Sequence, residues 1–272
     1  MPPGGSTPPE NDLSPSAAHA YLDRADTPPL MSAEPSAPIE GQLNPAERAL
    51  LAAPLLAAPE RDWRVLEVGT WLGGGSTVTF LRTLHQLGHG HLWGVEADRG
   101  IYERMIGNLR AAAPDAVGRF TPLFGFSQAV IPRWLAEQPA DFAVDLAFLD
   151  GGNNPREQIT EFRLLAPRIP VGGHLFSHDA KLRKGKWLVP YLRLLDNWEC
   201  ELHDVSDEGL FHARKLAAEP SPASLKAAQG RLFRMQLELQ EIAAAAVPRR
   251  VCAWIFARLP ARMVRRIADG RR

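Results

Sequence analysis

The chain has 272 residues, 31 basic and 31 acidic, so it carries no formal net charge at neutral pH, and its length suits one α/β domain of ordinary size with tails. No run of about 18 apolar residues is present to span a membrane, and the first residues lack the basic-then-apolar pattern of a secretory leader, so the expected location is the cytoplasm. Two cysteines far apart, Cys200 and Cys252, exclude a disulfide framework and a thiolate metal site.

Residues 1–36 are rich in Pro, Ser, Ala and Gly and poor in large apolar side chains. Such a stretch cannot bury enough surface to offset its ordering entropy, and it is expected to be a disordered tail. IEGQLNPAERALLAAPLLAA, from Ile39 to Ala58, reads as a helix, with Asn44 as N-cap, Pro45 at the first helical position and Glu47 in the first turn. A regular alternation follows. Strands are expected at Val65–Gly69, His91–Val95, Phe120–Phe124, Val144–Leu149 and His174–Ser177. Helices are expected between and after them, at Ser76–Leu87, Ile101–Ala112, Ala129–Ala136, Pro155–Leu165 and Gly185–Leu195. Strands alternating with helices mean βαβ units, hence a parallel sheet with both faces covered. The alternation stops at Trp198–His203 and Gly209–Arg214, two strands joined by VSDEG with no helix between them, which reads as a hairpin.

From Ser221 the chain is helical again. Leu225, Ala228, Leu232, Met235, Leu239, Ile242 and Ala246 recur every three or four residues, a seam suited to a second chain through residues 222–246 or to docking on its own domain. The end is basic, with Arg249, Arg250, Arg258, Arg262, Arg265 and Arg266 flanking Trp254, Ile255 and Phe256. An amphipathic stretch of this kind, over residues 249–268, suits peripheral contact with an anionic membrane surface. No nucleic-acid partner is expected.

The most informative stretch is VLEVGTWLGGGSTVTF, from Val65 to Phe80. A strand breaks into four glycines and a helix begins. Ligands of open parallel sheets sit at such places, beyond the carboxyl ends of the strands. A dinucleotide needs G-x-G-x-x-G, and the spacing fails from either Gly69 or Gly73. S-adenosylmethionine fits better. Glu67 can face its ammonium, backbone N–H groups its carboxylate, and Glu96, ending the next strand in LWGVEAD, its ribose hydroxyls. A glycine cluster beside Glu67 has no evident packing use, which favours a ligand.

The ordered blocks V-L-E-V-G-T-x-x-G-G-G-S, G-V-E-A-D, D-L-A-F-L-D-G-G and V-G-G-H-L-F-S-H-D, followed by the hairpin, resemble the class I S-adenosylmethionine-dependent methyltransferases. Within them the chain is similar to the small-molecule branch of macrocin-type and catechol-type O-methyltransferases. The resemblance covers about Ile39 to Lys215. It implies a Rossmann-like α/β fold with a seven-stranded, mostly parallel sheet, one antiparallel strand and helices on both faces. A methyltransferase domain at 37–217 would then carry a C-terminal helical extension at 218–272. It also implies cofactor contacts from Glu67, Gly69, Thr70, Gly73, Ser76, Glu96 and Asp150, with Phe126 and Ser127 at the adenine edge.

Acceptor chemistry would lie at Asp150, which ends the fourth strand, and at His178 and Asp179, which follow the fifth. A hydroxyl acceptor needs a base or a metal. In the metal-dependent branch acids at these places hold Mg²⁺, here Asp150 and Asp179 with an amide from Asn153 or Asn154. The sequence departs from that pattern, with Asp150-Gly151-Gly152 where the branch often has Asp-Gly-Asp, and His178-Asp179 where it has Asp-Asp or Asp-Asn. The competing reading makes His178 the general base, oriented by Asp179 or Asp150. Lys181, Arg183, Lys184 and Lys186 would form a basic, mainly solvated rim over the same strand ends. A different class stays open, a non-catalytic cofactor-binding or assembly protein with this fold. A dehydrogenase is a more distant third.

Overall fold

LAFL at Leu146–Leu149 is apolar throughout and buried at all four positions, as a central strand covered on both faces must be. This strand and six others build one sheet in the computed structural model, which describes residues 39–237. In chain order the elements are α1 (Pro45–Ala57), β1 (Arg64–Val68), α2 (Ser76–Leu87), β2 (His91–Glu96), α3 (Arg99–Ala112), β3 (Phe120–Phe124), α4 (Ser127–Ala136), β4 (Leu146–Leu149), α5 (Pro155–Leu165), β5 (His174–Ser177), α6 (Leu188–Leu192), β6 (Trp198–His203), β7 (Leu210–Lys215) and α7 (Pro222–Gln236). The strand order is β3-β2-β1-β4-β5-β7-β6. Neighbours pair in parallel except where β7 meets β5 and β6. The expected seven-stranded sheet with one antiparallel strand is thus present. Pro122, which cannot donate to a ladder, lies on β3 at the sheet's edge.

Chain order reverses between β1 and β4. That reversal opens the crevice beyond the strands' carboxyl ends, and it positions the site. Two cores flank the sheet. One face packs Leu51, Leu55, Phe80, Leu84 and Met105 from α1, α2 and α3, and the other packs Ile131, Phe162, Leu188 and Leu192 from α4, α5 and α6. The α7 helix joins the second core through buried Ala228, Leu232 and Met235. The described half of the C-terminal seam is therefore spent on the chain's own domain and is not open to a second chain. Leu239, Ile242 and Ala246 lie outside the described residues, as do the tail at 1–36 and the basic stretch at 249–268. Among the described residues no helix is long and apolar enough to cross a membrane.

Two expectations need physical correction. The helix expected over Gly185–Leu195 is a short 3-10 turn at Lys184–Lys186 followed by the single short helix α6. Gly185 lies against the Ala180 backbone, where a Cβ would stand 2.4 Å from the Ala180 carbonyl oxygen, so the chain folds back on itself before any regular helix can start. The glycine cluster after β1 also has a packing use. A Cβ at Gly74 would stand 2.3 Å from the carbonyl oxygens of Ile39 and Glu40, and one at Gly41 would stand 2.3 Å from the Gly74 carbonyl carbon. The segment leading into α1 runs backbone to backbone over the turn. Overpacking at such a contact costs about 1–3 kcal/mol, so Gly74→Ala should lower the urea midpoint. Gly107→Ala, a helix-interior site with nothing within 4 Å of the added Cβ, should raise it. Equal shifts for the two variants would refute the backbone contact.

Candidate active site

Glu67, the penultimate residue of β1, lies wholly buried just before the glycine turn. Its Oε1 accepts the Ser76 hydroxyl at the start of α2, while its Oε2 and the buried Thr70 Oγ1 have no hydrogen-bond partner. Burial pushes the Glu67 carboxyl up to about 8, against the hydrogen bond from Ser76. Above it Gly69 holds φ 91°, and a Cβ there would stand 2.5 Å from the Asp150 carbonyl oxygen. Gly73 holds φ 85°. Trp71 adopts φ 50°, unusual for a bulky residue, and presents an exposed indole.

The turn is tied to the end of β2. Glu96 Oε2 accepts the Trp71 N–H at 3.1 Å, and Oε1 accepts those of Ala97 and Asp98 at 2.8 and 2.9 Å. The carboxylate is thereby fixed at the mouth of the crevice. At the next strand end Phe126 is 65% exposed, while Ser127 turns inward and donates to Glu161 Oε1 at 2.5 Å. Burial raises the Glu161 carboxyl to about 7. Sequence reasoning missed Glu161. Its signal is periodicity, because Gln158, Glu161, Phe162 and Leu165 share the buried stripe of α5.

Asp150, His178 and Asp179 do converge, with one donor atom from each lying within 4.8 Å of the others. Two residues not expected there complete the cluster. Glu47, at N3 of α1, closes a capping box with Asn44 and sends its other oxygen inward. That Oε1 lies 3.2 Å from His178 Nε2 and accepts the Ser206 hydroxyl at 2.6 Å. His178 Nδ1 lies 3.4 Å from both Asp150 Oδ1 and Asp179 Oδ1. Burial disfavours charge on this ring, but the hydrogen bond and charge of Asp150, with Asp179 and Glu47, outweigh it and raise the imidazolium pKa to about 9.

Lys184 is the second addition. Its ammonium lies 2.7 Å from Asp150 Oδ1 and 3.0 Å from Asp179 Oδ2, and its side chain is only 4% exposed. Burial works against this charge too, and the two carboxylates outweigh it. Asp150 in turn is held below the usual carboxylate range, since Lys184 and His178 overcome the cost of its burial. The Asn154 side-chain oxygen caps α5 by accepting the Arg156 N–H at 3.0 Å, and Asn153 is exposed.

Residues 66–180 match the family model described as a methyltransferase domain. Over that stretch, which is less than half of the chain, the sequence is similar to methyltransferase domains. Similar solved structures include the O-methyltransferase TomG of Streptomyces achromogenes, involved in tomaymycin synthesis and bound to SAM. It is 18% identical with a TM-score of 0.52, covering 75% of this chain and 88% of that one. An O-methyltransferase of Bacillus cereus in complex with SAH is 16% identical with a TM-score of 0.51, covering 74% of this chain and 90% of that one. At these identities the likeness is one of fold. No curated protein matches the sequence significantly. The methyltransferase match contains Glu67, Glu96, Asp150, His178 and Asp179, whereas Glu47 and Lys184 lie outside it.

Proposed function

We propose that the chain transfers the methyl group of S-adenosylmethionine to a hydroxyl of a small molecule. The observation that carries this is Glu96, fixed by the Trp71, Ala97 and Asp98 amides at the mouth of the β1–β4 crevice beside the glycine turn. A carboxylate held there suits two ribose hydroxyls. The residues fit the rest of the cofactor as well. Glu67 Oε2 and Thr70 Oγ1 are buried polar atoms without partners next to the turn, suited to an ammonium, and exposed Phe126 offers an apolar face to a base.

Bound S-adenosylmethionine supplies a methyl group on a sulfonium, displaced in line by the acceptor. The chain's own residues bind and align the two reactants, which accounts for much of the acceleration in such a reaction. His178 is flanked by carboxylates on both ring nitrogens and held as imidazolium, which weighs against its serving as the general base. The more open members of the cluster are Asp150 and Asp179, with side chains 15% and 19% exposed. An acceptor hydroxyl meets these weak bases first. That favours acceptors that ionise readily, phenols or enols, over simple alcohols. Incubation with the cofactor and a panel of phenols and alcohols, read by S-adenosylhomocysteine release, tests the proposal. No turnover with any phenol, or turnover confined to alcohols, would count against it.

A pH dependence follows from Glu67. In the free protein its carboxyl is protonated below about 8, and a cationic ligand beside it favours the carboxylate. Cofactor binding should then release a proton near pH 7, and affinity should rise from pH 6 towards pH 8. Calorimetry in phosphate and in Tris reads this directly, because released protons change the observed heat between buffers of different ionisation enthalpy. Identical heats would remove Glu67 from the binding site.

A further inference from the structure

Lysines are almost never buried unless paired, because an unpaired ammonium is costly away from water. Lys184 is buried, and several features of the chain place it. Asp179 adopts φ 57°, turning the chain sharply after β5. Ala180 and Lys181 then donate backbone N–H groups to the carbonyls of Gly209 and Glu208 at 3.1 and 2.9 Å, pinning the loop to the β6–β7 hairpin. Gly185 permits the close return against Ala180. The ammonium thereby reaches Asp150 Oδ1 and Asp179 Oδ2 together.

These oxygens belong to the same two carboxylates that, with His178, form a cluster of metal-ligating type. A divalent ion of the Mg²⁺ or Mn²⁺ kind takes oxygen ligands. Here an ammonium already stands on one oxygen of each acid, and the third donor, His178, has a carboxylate oxygen within 3.2–3.4 Å of each ring nitrogen. The cluster does not fit a dication. We propose that Lys184 is the built-in cation of this site. It stands where a divalent ion would bridge Asp150 and Asp179, and it fixes the two carboxylates as a positioning residue, so the chain works without a metal. The functional part of this inference rests on the methyl-transfer reading of the crevice; the occupancy of the carboxylate pair does not.

The test uses Mn²⁺ alone, read by electron paramagnetic resonance on the full chain. Wild type and Lys184→Arg should bind no stoichiometric Mn²⁺. Lys184→Met, which empties the place of the charge while keeping its bulk, should gain one site at least tenfold tighter than any wild-type binding, and Asp150→Asn added to it should abolish that site. Wild-type binding of one Mn²⁺ that Asp150→Asn removes would overturn the proposal. So would a folded Lys184→Met that stays as blind to Mn²⁺ as wild type. If Lys184→Met does not fold alone, recovery of its thermal transition on adding Mn²⁺ supports the proposal, and failure to recover overturns it. S-adenosylhomocysteine binding to wild type, measured separately, decides the cofactor reading. Its loss would leave the Mn²⁺ result standing and remove the methyl-transfer role.

Discussion

Asp150→Ala should destabilise the fold by about 3–5 kcal/mol, the range for removing one partner of a buried ion pair and leaving an uncompensated charge. Two cations depend on this carboxylate. Lys184 lies 2.7 Å from it and His178 3.4 Å, and both are almost wholly buried. Asp179 contacts both as well, so the loss stays short of two unpaired charges. Because Asp150 is held below its ordinary range, its contribution is present near neutral pH and is lost as pH falls through its folded value. The control is Asp204→Ala. Asp204 pairs with Lys181 but is 83% exposed, and such a pair contributes less than about 1 kcal/mol. Urea unfolding at pH 7 compares the two variants. Similar small losses would mean that the cluster does not hold its charges as described.

Glu96→Ala should weaken S-adenosylmethionine binding by about 1.5–3 kcal/mol, the usual range for a hydrogen bond to a charged group and on the order of 10–100-fold in affinity. The same change frees the N–H groups of Trp71, Ala97 and Asp98. These lie at the surface, where water can satisfy them, so stability should fall much less than affinity. Calorimetry on the folded variant separates the two effects. Unchanged affinity would detach the end of β2 from cofactor recognition.

Much of this architecture is legible because local and global signals agree. Asn44, Pro45 and Glu47 mark the start of α1, and the capping box is present. Ser76–Leu87, Phe120–Phe124, Pro155–Leu165, His174–Ser177 and Trp198–His203 have the expected bounds. What escaped notice was residues with two uses. Glu47 is fully accounted for as a helix cap, and nothing in the sequence says that its other oxygen turns towards His178. Lys184 sits in a run of four basic residues, and such a run ordinarily reads as a solvated rim. The turn at Asp179, the backbone bonds of Ala180 and Lys181 to the hairpin and the fold-back at Gly185 together send that side chain inward. The glycine turn misled in the opposite direction. Its sequence reads as a place left open for a ligand, while Gly74 is filled by the chain's own backbone at Ile39 and Glu40. Long-range packing of this kind leaves no periodicity to read.

The central claim is that the β1–β4 crevice binds S-adenosylmethionine. The most direct measurement is calorimetric titration of the full chain with S-adenosylmethionine, beside a parallel titration with a nicotinamide dinucleotide. One bound S-adenosylmethionine per chain, weakened by Glu96→Ala, and no dinucleotide binding is the result this account predicts. Absence of S-adenosylmethionine binding at millimolar concentration, or preference for the dinucleotide, would contradict it.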